Sequence, residues 1–474
     1  MLFDSLDFAI YLPVVFAIYW MLNKSELKWQ NLFLLVASYA FYGWWDIRFL
    51  ILIAISTVVD YFVALGLDRQ EDPTQRKRLL WISLIVNLGL LAFFKYANFF
   101  IDSFIDTFQF MGAPMESRHL NIILPVGISF YTFQTISYTI DVYRRKISPT
   151  RNFVIFAGFV SFFPQLVAGP IERARNLLPQ FQQRRTFDYD QAVHGLRQLL
   201  WGLFKKVVIA NNCAVFVDQL FGNVSDQSGI NLFLGLVLFT LQIYADFSGY
   251  SDIAIGTARL FGFRLQVNFA YPLFSRNMAE LWRRWHISLM TWFKDYIYIP
   301  LGGSRNKVIQ IRNVLIVFFI TGLWHGASFA FIVWGMLNGI LCYLDRKKVP
   351  KAMVDSINIK KLGRILLTNF LLILTMGFFR AGNMEVSLAY YSGMFDTSLL
   401  SKPDFYGVER AFFVGLIALV MLMVEWWGRH DEYGIAYWAR LRSKTVRWVL
   451  YLLLVLSMGL YSRHETIQFV YFQF

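Results

Sequence analysis

Charged side chains are scarce in this sequence: Asp, Glu, Lys and Arg together make up 16% of 474 residues. Soluble proteins carry about 25%. Hydrophobic residues reach 57%, and the mean hydropathy is +0.47. This composition excludes an ordinary soluble domain and indicates an integral membrane protein.

Cysteine and the common motifs of soluble enzymes are also lacking. Cys213 and Cys342 both lie in apolar segments, so there is no disulfide framework or CxxC metal pattern, and we expect both to pack as small apolar side chains. The sequence has no GxxxxGK[ST], GxGxxG, HExxH or GxSxG motif. Nucleotide hydrolysis, dinucleotide redox chemistry, zinc proteolysis and serine hydrolysis therefore have no support, and we predict no metal site.

The sequence does contain apolar segments along its whole length. Several are shorter than the roughly 20 residues that cross a bilayer, so we expect some of them to be re-entrant or buried. We predict an all-α integral membrane protein with a single domain over residues 1–474, and about 11 spanning helices plus re-entrant segments. The apolar segments are residues 8–22, 31–45, 49–67, 79–94, 122–142, 153–167, 196–217, 232–244, 314–344, 365–379, 412–427 and 448–461.

The net charge of +14 is concentrated in short connections between these segments. Basic loops of membrane proteins stay in the cytoplasm, so the pattern predicts a multi-pass protein with both termini extracytoplasmic. Its role in setting membrane topology accounts for most of this charge, so we expect no nucleic-acid partner. The basic clusters are residues 76–78, 144–146, 346–348, 360–364 and 440–447.

Two histidines are the first candidates for chemistry. His325 lies in residues 322–326 (GLWHG) of a membrane-length apolar stretch, and His286 ends residues 282–286 (WRRWH). An ionisable side chain at this depth is a functional candidate, and an imidazole in apolar surroundings stays neutral, as a general base requires. We favour catalysis by His325 over a hydrogen-bonded core histidine. For the segment of His286, an interfacial helix with an aromatic belt and a site residue remain equal alternatives.

A polar run interrupts another apolar region at residues 246–252 (DFSGYSD), where a helix would otherwise continue. Its glycine and small side chains allow either a helix break or close packing. Two readings stay open for Asp246 and Asp252. They line a polar cavity and orient the histidines, or they pair with Arg259 or Arg264 to hold a broken helix.

Five runs occur in the order typical of one family. The chain resembles the membrane-bound O-acyltransferase (MBOAT) superfamily from near its first residue to Phe474. Within that superfamily it is most similar to the bacterial alginate O-acetyltransferase membrane subunits. The runs are residues 125–134 (PVGISFYTFQ), 163–171 (FPQLVAGPI), 246–252, 282–303 (from WRRWH through DY to PLGG) and 322–326.

The resemblance implies an MBOAT-type ring of tilted helices around a central two-sided funnel. It also implies an O-acyltransferase that moves an acyl group, acetyl in the simplest case, from cytoplasmic acyl-CoA toward an exported polysaccharide. Acetyl-CoA would be the donor substrate, with no permanently bound cofactor. A periplasmic SGNH/GDSL-like acetyltransferase would be the partner, and the bacterial inner membrane the location.

The resemblance also implies roles for single residues. The near-invariant family histidine corresponds to His325, and the second frequent one to His286. Arg283 and Arg284 would meet coenzyme A phosphates or anchor their helix. Some relatives carry another histidine near Asn338. The expected funnel lining consists of Asp246, Arg283, Arg284, Trp285, Asp295, Trp324 and Asn338.

The last seven residues, 468–474 (QFVYFQF), are similar to the C-terminal motif of small companion peptides of the teichoic-acid D-alanylation system. Tyr471 is the one strong nucleophile in this segment and is a candidate acyl relay to a secreted partner. The alternative is a terminal anchor in the aromatic belt.

Other functions remain open from the sequence. One is transfer to a lipid or protein, or loading of D-alanine instead of acetyl. Another is a transporter, for which an inverted repeat would be typical and none is evident.

Overall fold

The computed structural model describes residues 1–112, 120, 122–167, 169–345, 358–463 and 469–470, and the chain divides into two compact units. One unit contains Met1–Ala192 with Ala258–Leu265, and the other contains Val193–Thr257 with Gln266–Phe474. The described residues form helices and connections without strands, which confirms the all-α prediction. The single domain over residues 1–474 stays a prediction.

The first unit contains eight α-helices. Residues that begin several of them have side chains that cap free backbone N–H groups; Asp72, for example, accepts from Thr74 N at the start of α4. The helices are α1 (Leu6–Met21), α2 (Leu27–Gly43), α3 (Leu50–Arg69), α4 (Pro73–Phe110), α5 (Ile128–Tyr143), α6 (Phe153–Ser161), α7 (Phe163–Leu166) and α8 (Ala174–Gln182).

A buried carboxyl group joins three of these helices. Asp60 of α3 accepts hydrogen bonds from Ser83 and Asn87 of α4, and Thr139 of α5 lies 3.3 Å from it. Buried polar groups cost free energy unless they are hydrogen-bonded, so these contacts fix how α3, α4 and α5 pack together.

The second unit contains the remaining helices and two π-helical segments, Lys205–Ala210 and Lys294–Tyr298. The α-helices are α9 (Tyr189–Phe204, which begins in the first unit), α10 (Asn211–Gly222), α11 (Gly229–Leu260), α12 (Met278–Arg284), α13 (Ile287–Phe293), α14 (Lys307–His325), α15 (Phe329–Leu344), α16 (Ile359–Ala381), α17 (Met384–Met394), α18 (Val408–Gly428) and α19 (Lys444–Tyr461).

Of the two arrangements that residues 246–252 allow, the helix break does not occur, because α11 runs unbroken from Gly229 to Leu260. Its Gly249 serves close packing instead. A Cβ there would lie 2.8 Å from the carbonyl oxygen of Gly202 in α9. Small residues let two membrane helices approach this closely without interrupting either.

Nine helical stretches in the described part of the chain are long and apolar enough to cross a membrane, so this is a multi-pass membrane protein. The sequence predicted about 11 spans. Part of the difference arises where an apolar segment is broken: residues 153–167 form α6 and α7, which meet at Phe162. The nine stretches are Leu6–Lys24, Ile47–Arg69, Pro73–Phe110, Tyr189–Gly222, Gly229–Leu260, Lys307–His325, Ile359–Ala381, Val408–Gly428 and Lys444–Tyr461.

Candidate active site

His325 lies at the end of α14, where the chain turns into α15. The apolar segment 314–344 is therefore two helices rather than one, and residues 326–328 connect them. Gly322 of α14 faces the carbonyl oxygen of Phe331, and Gly335 of α15 faces that of Phe318. These contacts show that α14 and α15 form a closely packed antiparallel hairpin, with the histidine at its turn.

Aromatic rings surround the His325 imidazole, which is only 4% exposed. Its ring centroid lies 4.9 Å from that of Trp324, 5.1 Å from that of Trp334 in α15 and 5.1 Å from that of Phe379 in α16. The rings of Trp334 and Phe379 also contact each other, at 4.8 Å. We call Trp324, Trp334 and Phe379 the aromatic cage. An apolar cage favours the uncharged form of an imidazole.

His286 lies between two short helices, so residues 278–293 do not form one continuous helix. The helix α12 ends at Arg284, and α13 begins at Ile287. His286 between them adopts the left-handed conformation, with φ 47° and ψ 51°, which is uncommon for residues other than glycine. Its side chain is 1% exposed and lies outside the nine membrane-length stretches, and burial lowers the pKa of His286 to about 3.

Trp324 brings the two histidines into one site. Its ring centroid lies 5.7 Å from that of His286 and 4.9 Å from that of His325. Three of the residues singled out from the sequence thus belong to one cluster. The two imidazoles contact the same indole although 39 positions separate them in the chain.

Asn338 and Trp285 lie near this cluster and make other contacts. Asn338 is buried in α15, and its Nδ2 donates to the carbonyl oxygen of Trp334, 2.9 Å away. Trp285 is 3% exposed, and its ring packs against Tyr244 at 5.9 Å and Phe269 at 5.4 Å. Asn338 therefore supports the cage residue Trp334, and Trp285 belongs to the neighbouring core.

The arginines after Glu280 differ in exposure. Arg284 pairs with Glu280 at 3.0 Å, whereas Arg283 is exposed. Burial opposes ionisation of Glu280, but hydrogen bonds from Arg276 and the nearby charges of Arg276 and Arg284 leave the pKa of Glu280 below its usual value. Asp295 is half-buried in the π-helical segment Lys294–Tyr298. Arg284 thus already pairs with a carboxylate, whereas the Arg283 side chain is exposed.

Asp246 is buried and paired. Its Oδ1 lies 2.8 Å from Lys206 Nζ, and its Oδ2 accepts the backbone N–H of Val470 at 2.9 Å. Asp252 pairs with Lys205 at 2.6 Å. Two lysines thus pair with these carboxylates, whereas one of the two alternatives from the sequence was pairing with Arg259 or Arg264.

A cluster of charged residues in the second unit was not predicted from the sequence, although each of its members lies inside an apolar segment. Lys205 and Lys206 lie inside the apolar segment 196–217, and Glu425 lies inside 412–427. The rule that selected His325 applies equally to them. Glu425 Oε1 lies 3.8 Å from Lys205 Nζ, and its Oε2 accepts a hydrogen bond from the hydroxyl of Tyr244 at 2.7 Å.

Phe469 and Val470, near the C-terminus, pack against α11. The Phe469 ring lies 5.7 Å from that of Phe247 and 4.8 Å from that of Tyr250, and Phe469 and Val470 are each 1% exposed. Phe247 also contacts His286, with 4.6 Å between ring centroids. Tyr471, the candidate relay, lies outside the described residues.

Comparison with known proteins identifies relatives of this chain. The model of the MBOAT, membrane-bound O-acyltransferase, family matches residues 45–379. A probable alginate O-acetylase AlgI of Pseudomonas aeruginosa is 39% identical over 443 residues, which are 92% of this chain and 82% of that protein. A peptidoglycan O-acetyltransferase of Helicobacter pylori is 39% identical over 415 residues, 81% of this chain and 77% of that protein. A teichoic acid D-alanyltransferase of Streptococcus thermophilus is 29% identical over 252 residues, 50% of this chain and 60% of that protein.

The family match spans well over half of the chain and includes both His286 and His325. The predicted enzyme class, an O-acyltransferase, is confirmed by this match and by the O-acetyltransferase relatives. The resemblance read from the five runs is confirmed as well. This chain belongs to the membrane-bound O-acyltransferase family.

Proposed function

We propose that this enzyme takes an acetyl group from cytoplasmic acetyl-CoA and passes it across the membrane for O-acetylation of an exported polysaccharide. A periplasmic SGNH/GDSL-like acetyltransferase would complete the transfer. One observation carries the proposal: His325 lies in an aromatic cage at a helical turn, with His286 on the same indole. The names of the relatives, alginate O-acetylase and peptidoglycan O-acetyltransferase, support a glycan as the acceptor.

The proposed chemistry begins with neutral His325 as the general base. It removes the proton of an acceptor hydroxyl while the hydroxyl oxygen bonds to the thioester carbonyl carbon. The carbon–sulfur bond then breaks, the acetyl group stays on the oxygen, and the coenzyme A thiolate leaves and takes up a proton. The cage around the imidazole favours this route over hydrolysis, because apolar walls keep water away from the thioester.

The negative charge that develops on the thioester oxygen needs hydrogen-bond donors. His286, tryptophan N–H groups and nearby backbone N–H groups are the candidates. The indole Nε1 of Trp334 is buried and has no hydrogen-bond partner among the residues that the structure describes. This N–H group is suited to bind an oxyanion, because no existing hydrogen bond has to be broken first.

Arg283 is the better candidate for coenzyme A phosphates. It is exposed, whereas Arg284 pairs with Glu280. A free guanidinium binds phosphate through several N–H donors, while one held by a carboxylate must first give up that contact.

The enzyme is tested most directly by thioester cleavage. Purified protein in nanodiscs is given acetyl-CoA, the periplasmic partner and an acceptor glycan, and free coenzyme A thiol is measured over time. We expect His325→Ala to lower the rate by about 100-fold or more, the usual contribution of a general base. The matched control is His194→Ala, since His194 is exposed and its Nδ1 contacts Tyr433. A folded His325→Ala protein with the wild-type rate would refute the site.

Tyr471 is proposed as an acyl relay to the periplasmic partner. Support comes from the two residues just before it: Phe469 packs on Phe247, which contacts His286, and the N–H of Val470 binds Asp246. Phe469 and Val470 therefore lie beside Phe247, a ring neighbour of His286, and beside Asp246. We expect Tyr471→Phe to abolish glycan acetylation in cells while the protein still folds, because only the hydroxyl is lost. Unchanged acetylation would exclude the relay.

A D-alanyl donor is the alternative that one comparison favours, through the teichoic acid D-alanyltransferase. That relative matches only 50% of this chain, whereas the two O-acetyl-transferring relatives match 92% and 81%. Acetyl is therefore the better proposal, and a panel of acyl donors in the thiol-release assay separates the two. Membership of an acyltransferase family leaves no reason to keep the transporter hypothesis.

We further propose that the protein lies in the bacterial inner membrane with both termini extracytoplasmic. Termini on one side require an even number of crossings, whereas nine membrane-length stretches occur in the described residues. The shorter helix Phe329–Leu344 supplies the tenth crossing if it returns beside α14, as its antiparallel packing suggests. Reporter fusions at each terminus test this arrangement.

A further inference from the structure

The hydrogen bonds around Asn268 determine which nitrogen of His286 carries its proton. Asn268 is completely buried, and its Oδ1 lies 3.1 Å from His286 Nδ1, 2.9 Å from Ser288 Oγ and 3.3 Å from Ser288 N. On the other side of the amide, Nδ2 donates to Ser251 Oγ at 3.2 Å.

The orientation of the Asn268 amide follows from these partners. The backbone N–H of Ser288 can only donate, so the amide atom that faces it must be the oxygen. The same oxygen faces His286 Nδ1 at 3.1 Å, and two acceptors at this distance would repel each other. His286 Nδ1 therefore carries hydrogen. A neutral imidazole has one N–H, which leaves Nε2 as an acceptor.

The backbone supports the same arrangement. His286 has the left-handed φ of 47°, and Ile287 N donates to the carbonyl oxygen of Asn268 at 2.9 Å. Asn268 thus holds residues 286–288 through both its main chain and its side chain. Left-handed non-glycine residues persist when surrounding contacts over-determine them, and such residues cluster at functional sites.

We propose that Asn268 is a positioning residue that fixes the Nδ1–H tautomer of His286, so that Nε2 receives a hydrogen bond from an O–H or N–H group of the bound substrate. This inference rests on the proposed function, in which His286 takes part in acyl transfer. The group received is not the reacting hydroxyl, whose proton goes to His325. A second glycan hydroxyl or an amide N–H of the coenzyme A arm has the required chemistry.

One consequence concerns the oxyanion. A neutral His286 with hydrogen on Nδ1 cannot donate from Nε2, so it is not the donor to the thioester oxygen. That role then belongs to another group, and the Trp334 indole N–H in the cage is the candidate already named. The two histidines therefore have separate tasks: one accepts the reacting proton and the other orients substrate.

The first test reads the tautomer directly. Protein labelled with ¹⁵N-histidine is prepared in nanodiscs, and the His286 signals are assigned by their loss in His286→Gln. We expect a protonated Nδ1 and an unprotonated Nε2 in the wild type. The opposite pattern would overturn the proposal. This readout needs no activity, so it stands even if the proposed acyl transfer fails.

The second test separates positioning from packing through two variants of Asn268. Asn268→Leu keeps a similar volume and removes the acceptor, and we expect acyl transfer to fall about 100-fold, the scale for a misplaced substrate. Asn268→Asp keeps the acceptor, and we expect it to retain the Nδ1–H pattern and much of the rate at pH 8. Asn231→Leu and Asn231→Asp are matched controls, because Asn231 is also a buried amide that accepts a backbone N–H, from Asp404.

The outcomes distinguish this inference from the proposed function. Transfer that depends on His325 but is unchanged in Asn268→Leu would overturn the positioning role alone. A wild-type protein without acyl transfer would overturn the proposed function, while the ¹⁵N pattern still decides the tautomer.

Discussion

At the scale of the residue, the two histidines are held by different kinds of contact. His325 touches the rings of Trp324, Trp334 and Phe379. His286 has a specific hydrogen-bond partner in Asn268 as well as aromatic neighbours. A fixed acceptor beside one ring nitrogen, as Asn268 provides for His286, selects one tautomer of the imidazole.

The contact between Asn268 and His286 gives a pH prediction. Burial lowers the pKa of His286 to about 3, so the ring stays neutral from pH 5 upward in the wild type. In Asn268→Asp a carboxylate beside the ring would stabilise the imidazolium and raise its pKa. We therefore expect kcat/KM of the variant to fall between pH 8 and pH 5, with no matching fall assigned to His286 in the wild type. Asn231→Asp should follow the wild-type profile, and identical profiles for both proteins would contradict the prediction.

At the scale of the element, the hairpin of α14 and α15 places the general base. Gly322 and Gly335 let the two backbones meet, so that Trp334 of the second helix reaches the imidazole at the end of the first. Helix α16 completes the cage with Phe379. The distance between the two helix axes thus decides whether His325 has its ring partners.

A larger side chain in this hairpin should separate the helices. A Cβ at Gly335 would overlap the carbonyl oxygen of Phe318. We expect Gly335→Ala to reduce the free energy of unfolding by about 1–3 kcal/mol, as overpacking does, and to lower acyl transfer by moving Trp334 from His325. Thermal unfolding in detergent and the thiol-release assay measure the two effects.

The matched control is Gly459→Ala in α19, where no atom lies within 4 Å of the new methyl group. Alanine has the higher helix propensity, so this variant should keep wild-type activity and gain up to about 1 kcal/mol. Equal behaviour of the two variants would show that the hairpin does not depend on close approach.

At the scale of the whole molecule, the chain end contributes to the second unit. Asp246 of α11 binds both Lys206 and the N–H of Val470, which is 224 positions away in the sequence. The carboxylate therefore joins Val470 to α11. The neighbouring pair of Lys205 and Asp252 also joins α11 to the segment that begins at Lys205.

Loss of the Asp246 carboxylate should release Val470 from α11. Asp246→Ala removes a carboxylate that pairs with buried Lys206, and we expect a loss of about 3 kcal/mol or more in the free energy of unfolding. We also expect carboxypeptidase to remove the C-terminal residues faster than in the wild type, with mass spectrometry as the readout. Asp252→Ala is the control, since it breaks a buried pair but leaves Val470 bound. Equal digestion of Asp246→Ala and wild type would show that Asp246 does not hold Val470 in place.

Much about this protein could be predicted from the sequence alone. The scarcity of charge identified a membrane protein, an ionisable residue within an apolar stretch identified His325, and ordered motifs identified the family. These conclusions need only the types of neighbouring residues, because transfer into an apolar medium depends on composition along one segment. The same rule also selects Lys205, Lys206 and Glu425 as candidates, although they were not predicted from the sequence.

Other features were decided only by the tertiary structure. The polar run at residues 246–252 lies in an unbroken helix, and the segment around His286 forms two short helices that are separated at this residue. The partners Asn268 and His286, or Asp246 and Val470, carry no pattern in the sequence that links them. The reason is physical: which polar groups meet depends on how far each helix extends and how its neighbours turn against it, and these are settled when separate segments pack to satisfy one another's buried groups.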